Sequence, residues 1–176
     1  MIYRFRIILD HHGESDIFRD IELQKTDTFE DFHNAIVQAF GFDGNEMASF
    51  YFSNDLWEQG EEISLFDLGE RESSSMKMET TLLHEIANED QNKFLYIYDF
   101  LNMWTFFVEL AEIVPEVEGS DYPKLLFAHG QMPESAPEKA FDTENELESS
   151  EFHGDMDEDD YDQEDLDNFD SSSDWY

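Results

Sequence analysis

Apolar and polar residues alternate from the start of the chain. Tyr3-Arg4-Phe5-Arg6-Ile7-Ile8-Leu9 changes character at each residue before turning wholly apolar, which predicts a strand running from an edge into a centre. Asp10-His11-His12-Gly13-Glu14-Ser15 reads as a turn, and Ile17-Phe18-Arg19-Asp20-Ile21-Glu22-Leu23 alternates again, so the pair predicts a hairpin. The period then changes. Phe29, Phe32, Ala35, Ile36, Ala39 and Phe40 recur at helical spacing, with Asp27 or Thr28 placed to cap the start and Gly41 to end the helix.

Ala48-Ser49-Phe50-Tyr51-Phe52 predicts a short aromatic strand, while 54–80 looks irregular and polar, with its loop tip at 71–75. Leu82-Leu83 to Ile86 suggests a short helix. Phe94 to Tyr98 and Trp104 to Leu110 predict two strands joined across Asp99-Phe100-Leu101-Asn102-Met103. This order predicts an α+β domain over residues 1–133, a single mixed or antiparallel sheet with one helix packed across it and a β-grasp-like succession of elements.

Beyond Pro133 the periodicity stops. The chain has 176 residues with 45 acidic and 9 basic side chains, a formal net charge of -36. Residues 1–133 carry -19 of it and residues 134–176 carry -17, with Lys139 the one cation of the second part. Such a segment predicts a disordered acidic tail that its own acidic domain repels. Yet Phe141, Phe152, Tyr161, Phe169, Trp175 and Tyr176 are spaced through the carboxylates, and a purely solvating tail has no use for rings. Acid with spaced aromatics suits a segment steered to a basic surface and anchored there, so these six residues are the expected partner-binding positions.

The charge excludes more than it assigns. Direct nucleic-acid binding and anionic membranes both need Lys and Arg, which are scarce here. A basic protein surface is the expected partner. The absence of cysteine rules out disulfides and thiolate chemistry. The first residues lack the continuous apolar run of a signal peptide, and no segment approaches the roughly 18 apolar residues that span a bilayer, so a cytoplasmic location is expected.

Thr28-Phe29-Glu30-Asp31-Phe32-His33-Asn34-Ala35-Ile36, continued by Ala39-Phe40-Gly41-Phe42, resembles the TFxDLHxAIxxAFGW helix of the pRiA plasmid open-reading-frame-three family, also called an insertion-element passenger, TnpR-like family. Phe94-Leu95-Tyr96-Ile97-Tyr98-Asp99-Phe100, then Trp104 and Glu109, is similar to its second hallmark, FxYxYDFGDxWxHxIxxE. The likeness of motifs covers roughly residues 1–133. Leu101-Asn102 stands where the family has Gly-Asp, and Phe106 or Phe107 where it has His. Gly130-Gln131-Met132-Pro133-Glu134 is all that remains of its late ACPPEDxGG stretch. The resemblance implies a fold more than an activity, and the worn motif implies a scaffold.

Few constellations suggest chemistry. His11-His12 with Asp10 and Asp16 is the most ligand-like cluster, but adjacent side chains diverge, so a solvated turn is expected. His33 on the helix is expected to tie helix to sheet through a hydrogen bond, and Asp99 with Asn102 to cap a turn. Asp155, Asp157 and Asp159 fail as a calcium loop, because Asp160 and Leu166 stand where Gly and Glu are required. There is no glycine-rich phosphate loop and no nucleophile motif. No catalytic residue and no cofactor is therefore assigned. The expected function is a non-enzymatic acidic adaptor that binds a basic partner surface, such as one on RNA polymerase or the ribosome. The alternatives are a nucleic-acid mimic that blocks a DNA- or RNA-binding site, or a metal-dependent enzyme built on His33, Asp99 and the His11-His12 turn.

Overall fold

In the computed structural model, which describes residues 1–66 and 76–138, the alternation at the start becomes a hairpin. Strand β1 (Ile2–Leu9) pairs antiparallel with β2 (Phe18–Gln24), Phe5 opposite Ile21 and Arg6 opposite Asp20. Tyr3, Phe5, Ile7 and Leu9 turn to the core, and the cations between them turn to the other face.

Helix α1 (Phe29–Phe40) starts where its polar residues allow. Thr28 is the cap: its Oγ1 accepts from the Asp31 N–H at 3.1 Å, and Asp31 Oδ2 accepts from the Thr28 N–H at 2.9 Å. Asp27 instead accepts from the Gln24 N–H at 2.8 Å, closing the turn before the helix. Gly41 ends the helix in the left-handed region at φ 78°, which a side chain would strain.

The buried face of α1 lies on aromatic rings from the sheet. Phe32 sits 4.5 Å from Phe5 and 5.1 Å from Phe50, centroid to centroid. Phe29 meets Phe50 and Phe94 edge-on, and Phe40 lies 4.7 Å from Phe106. Seven of the chain's 17 phenylalanines thus join helix to sheet, mostly in the tilted and edge-on arrangements that rings prefer.

The remaining elements are β3 (Ala48–Phe52), β4 (Glu62–Ser64), β5 (Met76–Lys77), α2 (Leu83–Ile86), β6 (Lys93–Tyr98), β7 (Trp104–Val114) and β8 (Lys124–His129). They form one eight-stranded sheet in the order β5-β4-β3-β6-β7-β1-β2-β8. Every neighbouring pair is antiparallel except β4 with β5, so the sheet is mixed and the domain α+β. The expected elements occur in the expected order, with three further strands that widen the sheet.

Three strands depart from the sequence reading. β4 and β5 lie inside the stretch taken as irregular, and they are too short to show a period. β8 lies beyond the last expected strand. In addition, β7 runs on to Val114 past the expected Leu110, because β1 continues to offer it partners as far as Ile2. The expected loop tip at 71–75 lies outside the described residues. Past Pro133 the chain does not leave the domain at once, since Ala136 packs against the core.

Candidate functional site

The two motif segments meet. α1 brings His33 onto β6, where its Nδ1 lies 2.7 Å from the Tyr96 hydroxyl. Both side chains are buried, His33 at 3% exposure and Tyr96 at 0%. Burial holds the imidazole pKa down to about 4 and pushes the phenol well above its usual range. A neutral ring buried beneath the helix joins the two elements. His33 therefore ties helix to sheet, as its place on the stripe suggested.

The second motif is consumed in the same way. Tyr98 donates to Asp43 Oδ1 at 2.8 Å and accepts from the Gly44 N–H at 3.0 Å, while Phe42 stacks on the Tyr98 ring and meets Trp104 edge-on. Asp99 sits at φ 59° and Met103 at φ 57°, both in the left-handed region. The Asp99 carboxylate stabilises this turn by accepting from the Leu101 N–H at 3.1 Å and from Asn102 Nδ2 at 2.6 Å. The Asn102 bond, with two backbone donors, keeps the carboxyl below its usual pKa.

Phe106, one of the two residues where the family has His, is in the core. Phe107 faces the other side of the sheet, 4.9 Å from the Trp57 ring.

His11 folds back on its own turn, its Nδ1 accepting from the Gly13 N–H at 2.9 Å. Among the described residues no three His, Asp or Glu side chains converge as they would to hold a metal ion, and every buried side-chain N or O has a hydrogen-bond partner. His33, Asp99 and His11 are bound to three separate sets of partners. The six expected partner-binding residues, Phe141, Phe152, Tyr161, Phe169, Trp175 and Tyr176, lie outside the described residues.

What the surface offers is charge and an open edge. Arg4 bridges Glu22 at 2.6 Å and Glu112 at 2.7 Å, Arg6 makes two 2.8 Å bonds to Asp20, and Lys93 lies 2.8 Å from Asp55. These cations are spent on neighbouring carboxylates, in a chain whose acids outnumber its cations 45 to 9.

Arg19 points inward instead. Its Nη1 donates to the carbonyls of Phe18 and His129 at 2.8 Å, and its Nε to the carbonyl of Ala39 at 3.2 Å. It brings positive charge to the C-terminal end of α1, whose own last turn carries none. It also ties α1 to β8.

β8 ends the sheet, and all six of its residues are exposed. Leu125, Leu126 and Phe127 are each about half exposed, at 48%, 46% and 51%. Beside it runs a groove of about 500 Å³ between α1 and β8, floored by Ile21, Ala35, Ala39 and Leu125 and rimmed by Asp31, Asn34 and Gln38. The sequence reading missed β8. Its signal was a short apolar run bounded by Pro123 and Gly130.

The fold and these surfaces define an α+β protein whose motif residues hold its helix to its sheet. The chain belongs to the plasmid pRiA4b ORF-3-like protein family, whose model matches residues 1–173 and so reaches well beyond the motifs themselves. No curated protein matches it. Among solved structures, the crystal structure of the protein of unknown function MM3350 from Methanosarcina mazei Go1 is similar in fold. Its TM-score is 0.61 and its identity 23%, over 72% of this chain and 68% of that one.

Proposed function

We propose that this protein is a non-enzymatic, cytoplasmic adaptor that binds a basic surface of a partner, of the kind found on a nucleic-acid-handling machine such as RNA polymerase or the ribosome. The observation that carries this reading is the disposition of charge. In a chain of net charge -36, Arg4, Arg6 and Lys93 are paired to carboxylates and Arg19 is turned inward, so the excess acid dominates the field outside. Thr28, Asp31 and His33 of the first motif and Tyr96, Tyr98 and Asp99 of the second are engaged in holding the fold, which favours a scaffold over a catalyst. Phe141, Phe152, Tyr161, Phe169, Trp175 and Tyr176 add rings to the acid of the C-terminal segment and act as its anchors. Among the described residues no helix is long and apolar enough to cross a membrane.

Affinity purification from lysate tests this reading. Basic, nucleic-acid-associated partners are expected at low salt, with steep loss as the Debye length shrinks to about 8 Å at physiological ionic strength. The return of no such partner at low salt would overturn it. A chain ending at Glu138 keeps Met132 and Ala136 on the core and should bind more weakly than the full chain.

A further inference from the structure

The sheet has two unequal edges. β5 has two residues, whereas β8 has six, with three half-exposed apolar side chains and no strand beyond it among the described residues. An open edge of this length is a template for another chain, and proteins usually blunt such edges with charge, proline or bulges. Here the blunting is slight: Lys124 at one end and a bulge opposite Asp20 and Ile21. The stretch 122–133 carries no carboxylate at all, in a chain with 45. Acid is excluded from the place where a new strand would pair.

The groove says what such a strand would carry. Its floor of Ile21, Ala35, Ala39 and Leu125 is apolar, and its two alanines leave open the space that larger residues would fill. Its rim holds the amides of Asn34 and Gln38 and the carboxylate of Asp31, and the two bonds to Thr28 engage only Oδ2 of that carboxylate. An apolar trough ending at an acid suits a side chain with an aliphatic stem and a cationic head. Lys124 lines the strand side of the groove and stands opposite Glu22 in register, whose carboxylate is bonded to Arg4.

We propose that β8 takes a basic, extended segment of a partner protein as an added strand, with a Lys or Arg side chain laid in the groove between β8 and α1. This rests on the reading of the protein as an acidic adaptor and adds the place and form of contact. Main-chain hydrogen bonds supply the affinity, and the groove selects the side chain. A second copy of the chain is the poorer occupant, since two bodies of such charge repel.

The probe is a short peptide of alternating lysine and valine, titrated into the full chain at low salt and followed by amide resonances. Shifts are expected at Lys124–His129 and at the side-chain amides of Asn34 and Gln38. Methylating every backbone nitrogen of the peptide keeps its charge and removes its strand donors, and should weaken binding by at least about tenfold. Gln38→Lys, at an exposed helix position, should weaken it by about threefold.

Equal binding of the methylated peptide, with shifts spread over the acidic surface, would overturn the added strand and leave the adaptor reading standing. No binding of either peptide at low salt would sink both. A chain that sediments as a dimer, split by Leu126→Glu, would assign the edge to a second copy and also overturn the proposal.

Discussion

His33 Nδ1 and the Tyr96 hydroxyl share a 2.7 Å hydrogen bond between α1 and β6, 63 positions apart in sequence and shut off from solvent. The bond is a polar point in a largely aromatic seam between helix and sheet.

That burial predicts a pH dependence. In the folded chain the imidazole stays neutral down to about pH 4, whereas in the unfolded chain it gains a proton below about pH 6.5. The unfolded state therefore binds the extra proton between these values. Stability is full above about pH 6.5 and falls as the pH drops towards 4, by on the order of 3 kcal/mol from this group alone. Urea unfolding at pH 7 and pH 5 should show a smaller difference for His33→Gln than for the wild type. Parallel loss in both chains would place the effect elsewhere.

Arg19 predicts a failure of conservative exchange. Its guanidinium reaches the carbonyls of Phe18, Ala39 and His129 together and lies 4.9 Å over the Phe40 ring. A lysine ammonium on a single stem cannot span them. Arg19→Lys should destabilise by about 1–3 kcal/mol and Arg19→Met by somewhat more. Hydrogen exchange should speed up first along β8. A wild-type unfolding midpoint for Arg19→Lys would refute this account of the anchor.

The β6–β7 turn predicts an order of tolerance at one position. Asp99 combines a left-handed backbone with a side chain that bonds the turn, so asparagine retains most of both. Glycine relieves the backbone but loses the bonds, and alanine keeps the strain and loses the bonds. Stability should fall in the order Asp, Asn, Gly, Ala, with Asp99→Ala losing about 2 kcal/mol. Thermal unfolding of the three variants would reveal any other order.

At the helix start, Thr28→Ala should lose about 1 kcal/mol, because the Asp31 N–H forfeits its acceptor. Asp27→Ala should leave the helix start intact, since that carboxylate serves the preceding turn. Far-UV circular dichroism during denaturant unfolding separates the two.

The elements with a strong period were legible. The stripe from Phe29 to Phe40 and the alternation of Tyr3 to Leu9 became α1 and β1 with the faces they implied. β4 and β5 escaped because strands of three and two residues have no period to read. β8 escaped because all its residues are exposed, so it lacks the inside and outside that patterning depends on. The role of His33 was readable from its place on the stripe, but Tyr96 was not readable as its partner. A contact across the sheet depends on register, which no local pattern carries. The groove beside β8 was hidden for the same reason, since it exists only once α1 lies across β2.

The unequal edges have a consequence for how the molecule keeps in solution. With only a bulge and one lysine to guard β8, shared negative charge is what stops copies from stacking edge to edge. The acidity is then a colloidal safeguard. Brought near its isoelectric point, or into salt concentrated enough to mask its field, the chain should begin to self-associate through this acid-free edge.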